Sequence, residues 1–229
     1  MERFDIGKHS HIFQAESTDL IEAPSGILME AQTGTVVYQK DADTRRSPAS
    51  ITKIMTTLIA LENSDLNDIV TFSDAAIDNT EGSGIARDYG EQMTMEQCLY
   101  AVMLASANEC AYAVAEHVGG TIENFVAMMN EKAKELGCQN THFANPHGLH
   151  DENHYTTAHD MALIGSAVYQ FDKFREVTQT LNYTIPPTNL VNESRTFQQN
   201  HKMLWVGAHY SYDYCTGGKT GYTDQAKTT

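Results

Sequence analysis

The stretch Ser47-Pro48-Ala49-Ser50-Ile51-Thr52-Lys53, with its apolar continuation to Leu61, constrains the fold of this chain more than any other. Ser47 is a favoured N-cap residue, and Pro48 suits the first helical position, where a missing N–H leaves nothing unpaired. Ile51, Ile54, Met55, Leu58 and Leu61 then recur at helical spacing, which predicts a helix with one apolar face. Such a helix must be buried against other elements. With 229 residues, 41% of them hydrophobic, the chain can build a core around it. That length suits one large domain or two small ones. Ser50 and Lys53 fall in the first turns, three residues apart and so on one face. A hydroxyl and an amine are thereby set side by side at the edge of a core.

The rest of the chain supplies partners for that helix. Residues 26–31 and 35–40 are strand-like runs separated by Gln32-Thr33-Gly34, a turn signal, so they predict an antiparallel hairpin. Residues 64–93 are mixed, with a glycine-containing stretch at Glu81-Gly82-Ser83-Gly84. Thr94 and Gln97 have capping-box spacing and open a helix running through Leu99, Val102 and Met103 towards Ser106. Another helix ends at Gly119-Gly120. Thr121 caps a third, which carries Ile122, Phe125, Val126, Met129, Ala133 and Leu136 on one face and stops at Gly137. Residues 138–156 read as a histidine-bearing loop. Thr157 and Asp160 then open a helix with Met161, Leu163, Ile164 and Val168. Residues 181–186 and 195–206 look extended, and the chain closes on Gly217-Gly218-Lys219-Thr220-Gly221-Tyr222-Thr223. Strands at both ends around a helical middle predict an α+β fold.

Composition narrows the function classes. A formal net charge of −15 argues against nucleic acid, which asks for a basic footprint. No apolar run reaches the ~18 residues of a membrane span. Cys98, Cys110, Cys138 and Cys215 show no C-x-x-C spacing, so a structural zinc site is not expected. Cys98 and Cys110 lie in helical patterns and read as buried thiols. His147, His150, His154 and His159 fall within 13 residues, and His154 with His159 suggests a metal, but no short ligand spacing is completed by a fourth clear ligand. The first ~20 residues are polar and unpatterned, are expected to be loosely ordered, and show no signal-peptide core.

Three short motifs carry chemistry. Ser50 and Lys53 form an S-x-x-K pair, in which a lysine with a depressed pKa takes the serine proton; burial and a helix N-terminus both push in that direction. Ser106-Ala107-Asn108 supplies a hydroxyl to relay a proton and an amide to hold a lysine or a substrate carbonyl. Lys219-Thr220-Gly221 offers a cation and a hydroxyl for a carboxylate, with a glycine where nothing larger fits. Each alone has an ordinary structural explanation: a helix start, a helix corner, an exposed strand or turn. Each pattern occurs once, however, and the three come in the order used by penicillin-recognising serine acyl-transferases.

The likeness extends beyond the triplets. The stretches ILMEAQTGTVVYQKDADTRRSPASITKIMT, MLASANECAYAVAEH, FVAMMNEKAKELGCQNTHFANPHGLHDENHYTTAHDMA and GGKTGYTDQA cover most of residues 24–226. In them the chain resembles the D-alanyl-D-alanine carboxypeptidases, low-molecular-mass penicillin-binding proteins of serine peptidase family S11.

The resemblance implies a penicillin-binding protein or serine β-lactamase-like fold, an antiparallel sheet with a helical region. It places the catalytic domain at 23–229 and leaves 1–22 as an N-terminal extension. It implies that Ser50 attacks the carbonyl between the two terminal D-alanines of a peptidoglycan stem peptide and that Lys53 accepts its proton. Ser106 would pass a proton to the departing D-alanine, and Asn108 would position Lys53 and the substrate amide. Lys219, Thr220 and Gly221 would bind the terminal carboxylate. The backbone N–H groups of Ser50 and Tyr222 would hold the oxyanion. Penicillins would be trapped at the same serine. No metal or organic cofactor is implied, and the setting is the cell envelope, outside the cytoplasm.

In the family the lysine-threonine-glycine strand is followed by two more strands and a helix, whereas only eight residues follow Gly221 here. The expectation is a chain truncated after that strand, with an unpaired strand edge. A non-catalytic, penicillin-recognising fragment is therefore the alternative to a carboxypeptidase. A β-lactamase ranks lower, because no E-x-x-x-N stretch lies between the second and third motifs.

Overall fold

The computed structural model describes residues 21–85 and 88–229. The expected loose order of the N-terminal extension therefore falls almost wholly outside the described residues.

The predicted hairpin is present: β1 (Gly26–Met29) pairs antiparallel with β2 (Val36–Lys40). Its turn is fixed by Glu30, whose carboxylate accepts from the backbone N–H groups of Gln32 and Thr33. The central helix α1 (Lys53–Asn63) buries Met55, Leu58, Ile59 and Ala60.

Its start departs from the sequence expectation. Ser47 does not cap it; Pro48 occupies the cap position of a single 3-10 turn, Ala49–Thr52, and no side chain caps that turn. The reason is a non-local bridge. Arg46 N–H donates to Thr156 O at 2.8 Å and Thr156 N–H returns to Arg46 O at 2.9 Å, which holds the approach to Ser47 extended. The chain then turns through a left-handed Ala49, φ 49°, directly before Ser50.

A short ladder, β3 (Ile69–Thr71) with β4 (Gln92–Thr94), brackets a one-turn α2 (Asp74–Asp78) capped by Ser73. The Thr94–Gln97 capping box forms as expected and opens α3 (Met95–Tyr100). Residues Ala101–Ala105 then widen into a π-turn, in which the N–H of Ser106 reaches Ala101 O. Ser106 leaves this turn in the left-handed conformation, φ 60°, and α4 (Asn108–Gly119) starts two residues later.

Thr121 and Thr157 cap α5 (Ile122–Glu135) and α6 (Ala158–Val168), as their spacing indicates. Helix α7 (Asp172–Gln179), unread in the sequence, buries Phe174 and Val177. Strands β5 (Asn182–Ile185) and β6 (Arg195–Gln198) pair antiparallel. The extended reading of 195–206 holds only to Gln198, since Lys202–Leu204 is a 3-10 turn.

Helix α1 is the hub, packed against α4, α5 and α6, while α6 also supports β1. Each large apolar side chain removed from water there contributes about 1.5–3 kcal/mol. Cys98 and Cys110 are buried free thiols within this core. The α+β class holds, but the described strands form four separate two-stranded antiparallel ladders rather than one continuous sheet. Lys219–Gly221 is not itself strand. The last ladder, β7 (Tyr222–Thr223) with β8 (Lys227–Thr228), begins just after it.

Candidate active site

Ser50 lies in the 3-10 turn and Lys53 is the first residue of α1, fully removed from solvent. Lys53 Nζ lies 3.1 Å from Ser50 Oγ, 2.6 Å from Asn108 Oδ1 and 2.6 Å from the carbonyl oxygen of His147. A neutral amine has two N–H donors and one lone pair. Two carbonyl acceptors and one hydroxyl donor match that inventory, which leaves the lone pair for the Ser50 O–H. Burial pushes the Lys53 amine well below the usual lysine range, and the nearby Lys219 pushes it the same way; Glu109 and Cys110 oppose them.

Asn108 is held on its other side. Its Nδ2 donates to Glu81 O at 2.6 Å and its backbone N–H to Ser83 O at 2.8 Å. The glycine-containing stretch of the sequence is therefore a cradle for this asparagine.

The third motif approaches from the far side. Lys219 Nζ donates to Ser106 Oγ at 2.9 Å and to Thr220 O at 2.5 Å. Its ammonium is the enclosed end of a half-buried side chain, and burial lowers its pKa to about 7. Gly221 passes directly over the serine: a Cβ there would lie 2.9 Å from Ser50 N and 3.2 Å from Ala49 Cβ. Gly221 and Thr229 exchange both backbone hydrogen bonds, at 3.0 and 2.9 Å. The adjacent Tyr222–Thr228 pair is then a non-hydrogen-bonded pair, which turns the Tyr222 N–H away from β8. Lys53, Asn108, Ser106, Lys219 and Gly221 are thus gathered about Ser50, with Thr220 and Tyr222 on either side of Gly221 in the chain.

A family model described as D-alanyl-D-alanine carboxypeptidase matches residues 12–229. The chain belongs to that family. It is 38% identical over 216 residues to the D-alanyl-D-alanine carboxypeptidase DacF of Bacillus subtilis, covering 90% of this chain and 52% of that protein. With the D-alanyl-D-alanine carboxypeptidase of a Streptomyces species it shares 34% identity over 221 residues, 90% of this chain and 74% of the relative. The crystal structure of a Streptomyces DD-transpeptidase superposes with a TM-score of 0.82 at 33% identity, over 91% of this chain and 83% of that one. The chain spans about half the length of the Bacillus relative.

Two contributors to this carboxypeptidase-family site escaped sequence reading. The His147 carbonyl is a backbone acceptor, and no residue type announces one. Gly148 packs against the Ala49–Ser50 peptide, as Gly221 does. At φ 91°, a Cβ on it would lie 1.9 Å from Ala49 O, so only glycine fits. Its signal was a glycine inside an otherwise polar loop.

The histidines serve that loop. Ala144 N–H donates to His154 Nδ1 at 3.0 Å, which leaves the proton on Nε2 to donate to Thr52 Oγ1 at 2.8 Å. Burial lowers His154 to about 4 and His147 to about 3, so both are neutral near pH 7. His159 pairs instead with exposed Asp43. Among the described residues, no three His, Cys, Asp or Glu side chains gather as metal ligands.

Proposed function

We propose that this chain carries the catalytic site of a serine-type D-Ala-D-Ala carboxypeptidase acting on peptidoglycan stem peptides. The observation that carries the reading is the contact of the buried, hydrogen-bonded Lys53 amine with Ser50 Oγ at 3.1 Å. Neutral Lys53 takes the Ser50 proton as Oγ attacks the carbonyl carbon between the two terminal D-alanines. The Ser50 and Tyr222 N–H groups receive the negative charge that develops on the carbonyl oxygen. Lys219 and Thr220 grip the terminal carboxylate, with Gly221 leaving room for it. As the C–N bond breaks, the proton held by Lys53 is relayed through the Ser106 hydroxyl to the leaving D-alanine amine, which leaves Lys53 neutral. Water then attacks the ester, gives a proton to Lys53, and Lys53 hands it to Ser50 Oγ as the ester bond breaks. Penicillins mimic the same dipeptide end and acylate Ser50.

The substrate places the work at the cell envelope. Among the described residues, no helix is long and apolar enough to cross a membrane.

Intact-mass spectrometry after incubation with benzylpenicillin tests the reading. The parent chain is expected to gain one penicillin mass and Ser50→Ala none, while D-alanine release from a D-Ala-D-Ala peptide follows the same pattern. A folded parent that takes up no penicillin and releases no D-alanine overturns it.

A further inference from the structure

Glu109 follows the S-x-N motif directly, yet the chemistry above has no use for it. It is a buried carboxylate, 4% exposed, on the first turn of α4. Its Oε1 accepts the backbone N–H of Ile85 in a short hydrogen bond. Gly84 passes so close that a Cβ there would lie 2.5 Å from Glu109 Oε2 and 2.8 Å from Oε1.

Ile85 is held from its other end as well. Its carbonyl accepts from Arg195 Nη1 at 2.9 Å, and Arg195 is paired with Glu91, which has no exposed surface. The 81–85 segment is thereby clamped between a carboxylate on α4 and a guanidinium on β6. The same segment presents the Glu81 and Ser83 carbonyls that fix the Asn108 side chain and backbone. Asn108 in turn fixes Lys53 at 2.6 Å. A chain of contacts therefore runs from Glu109 to the attacking serine without Glu109 touching it.

Resting on the carboxypeptidase reading, we infer that Glu109 is a positioning residue for acylation, setting Asn108 and Lys53 through the 81–85 segment. Truncating such a support lets Asn108 and Lys53 shift, and displacements of this kind slow acylation. Glu109 also acts as a charge. The titratable and charged groups around Lys53 are Lys219 from the segment before β7, Glu109 and Cys110 from α4, and His147 and His154 from the 138–156 loop. Of these, Glu109 is the carboxylate, and it favours the lysine proton.

Two substitutions separate support from charge. Glu109→Gln keeps an acceptor for Ile85 N–H and removes the charge. Gly84→Ala keeps the charge and forces the segment and the Glu109 carboxylate apart. The measurement is the benzylpenicillin acylation rate against pH, per folded molecule, with thermal unfolding as the control for folding. Glu109→Gln should move the acid limb of the profile to lower pH by about half a unit or more. Gly84→Ala should lower the plateau about 10-fold and leave the limb in place. If Glu109→Gln leaves the limb unmoved and Gly84→Ala keeps a plateau within about twofold of the parent, the inference is overturned, whatever happens to the melting temperatures. An unacylated parent is a different result: it removes the carboxypeptidase reading, and the positioning role goes with it.

Discussion

The two sides of the active site are built differently. On one side the buried Lys53 amine bonds both Asn108 and the His147 carbonyl; Lys53 and Asn108 begin helices of the main core, and His147 belongs to the loop packed beneath them. On the other side Lys219–Gly221 rests on a few hydrogen bonds: Lys219 to Ser106, Gly221 with Thr229, and Thr229 Oγ1 to Pro48 O at 3.2 Å. Its ladder is two residues long, and the preceding stretch exposes Val206, Tyr210, Tyr212 and Tyr214. Under the proposed mechanism, the difference teaches that proton transfer is prepared in advance from inside the core, whereas carboxylate recognition is assembled at the periphery. Stability of the fold and readiness of the nucleophile should therefore travel together, and substrate grip should vary more independently.

Hydrogen exchange is the most direct way to break this contrast. Amides of α1 and α4 should exchange at least roughly 10³-fold more slowly, relative to their intrinsic rates, than those of residues 217–229. Equal protection on the two sides would remove the distinction.

Removing the base comes next. Lys53→Met fills similar volume without the amine, and penicillin acylation should fall by about 10²–10⁴-fold while the chain stays folded. Acylation within tenfold of the parent would mean that another group takes the Ser50 proton.

A smaller effect should follow at the periphery. Lys219→Ala should raise KM for a D-Ala-D-Ala peptide about 10-fold, as expected for losing a charged hydrogen bond to the carboxylate, with far less change in stability. In the parent, Lys219 carries its charge below about pH 7, so carboxylate binding should weaken as pH rises through that value. A flat KM between pH 6 and about pH 8 would argue against the assignment.

The smallest expected effect concerns the loop under the nucleophile. His147 and His154 are neutral when folded, at about 3 and about 4, whereas in the unfolded chain each takes a proton near pH 6.5. The unfolded state binds more protons between those values. Stability is thus undiminished by these groups above about pH 7 and falls as pH drops from about 6.5 towards 4. Urea unfolding at pH 7 and pH 5 should show a loss on the order of 1 kcal/mol per imidazole, and His154→Gln should flatten the slope.

Legibility in the sequence followed locality. Thr94 with Gln97, Thr121 and Thr157 signal their helices through bonds three residues away, and all three caps form. Ser47 carries the same kind of signal and fails, because Arg46 is committed to Thr156, 110 positions on by the numbering of that bridge. The motif residues could be picked out because each is marked by its residue type, a functional side chain or, at Gly221, the lack of one. Their supports could not: the carbonyls of His147, Glu81 and Ser83 are common to every residue type, and the Glu91–Arg195 pair joins parts of the chain far apart in sequence. The Lys219–Gly221 stretch reads as a strand, but a strand exists only with a neighbour, and the described ladder begins at Tyr222.

The π-turn at Ala101–Ala105 has a consequence for how chains of this kind can vary. It delivers Ser106 and Asn108 at a fixed rotation from the buried α3 helix. Adding or deleting one residue there would swing everything after it by about 100° and carry both side chains off their partners. The segment therefore works as a ruler whose length is constrained more tightly than its composition. In aligned relatives, gaps should gather in the exposed excursion at 203–214, and the count of residues from Leu99 to Asn108 should stay constant.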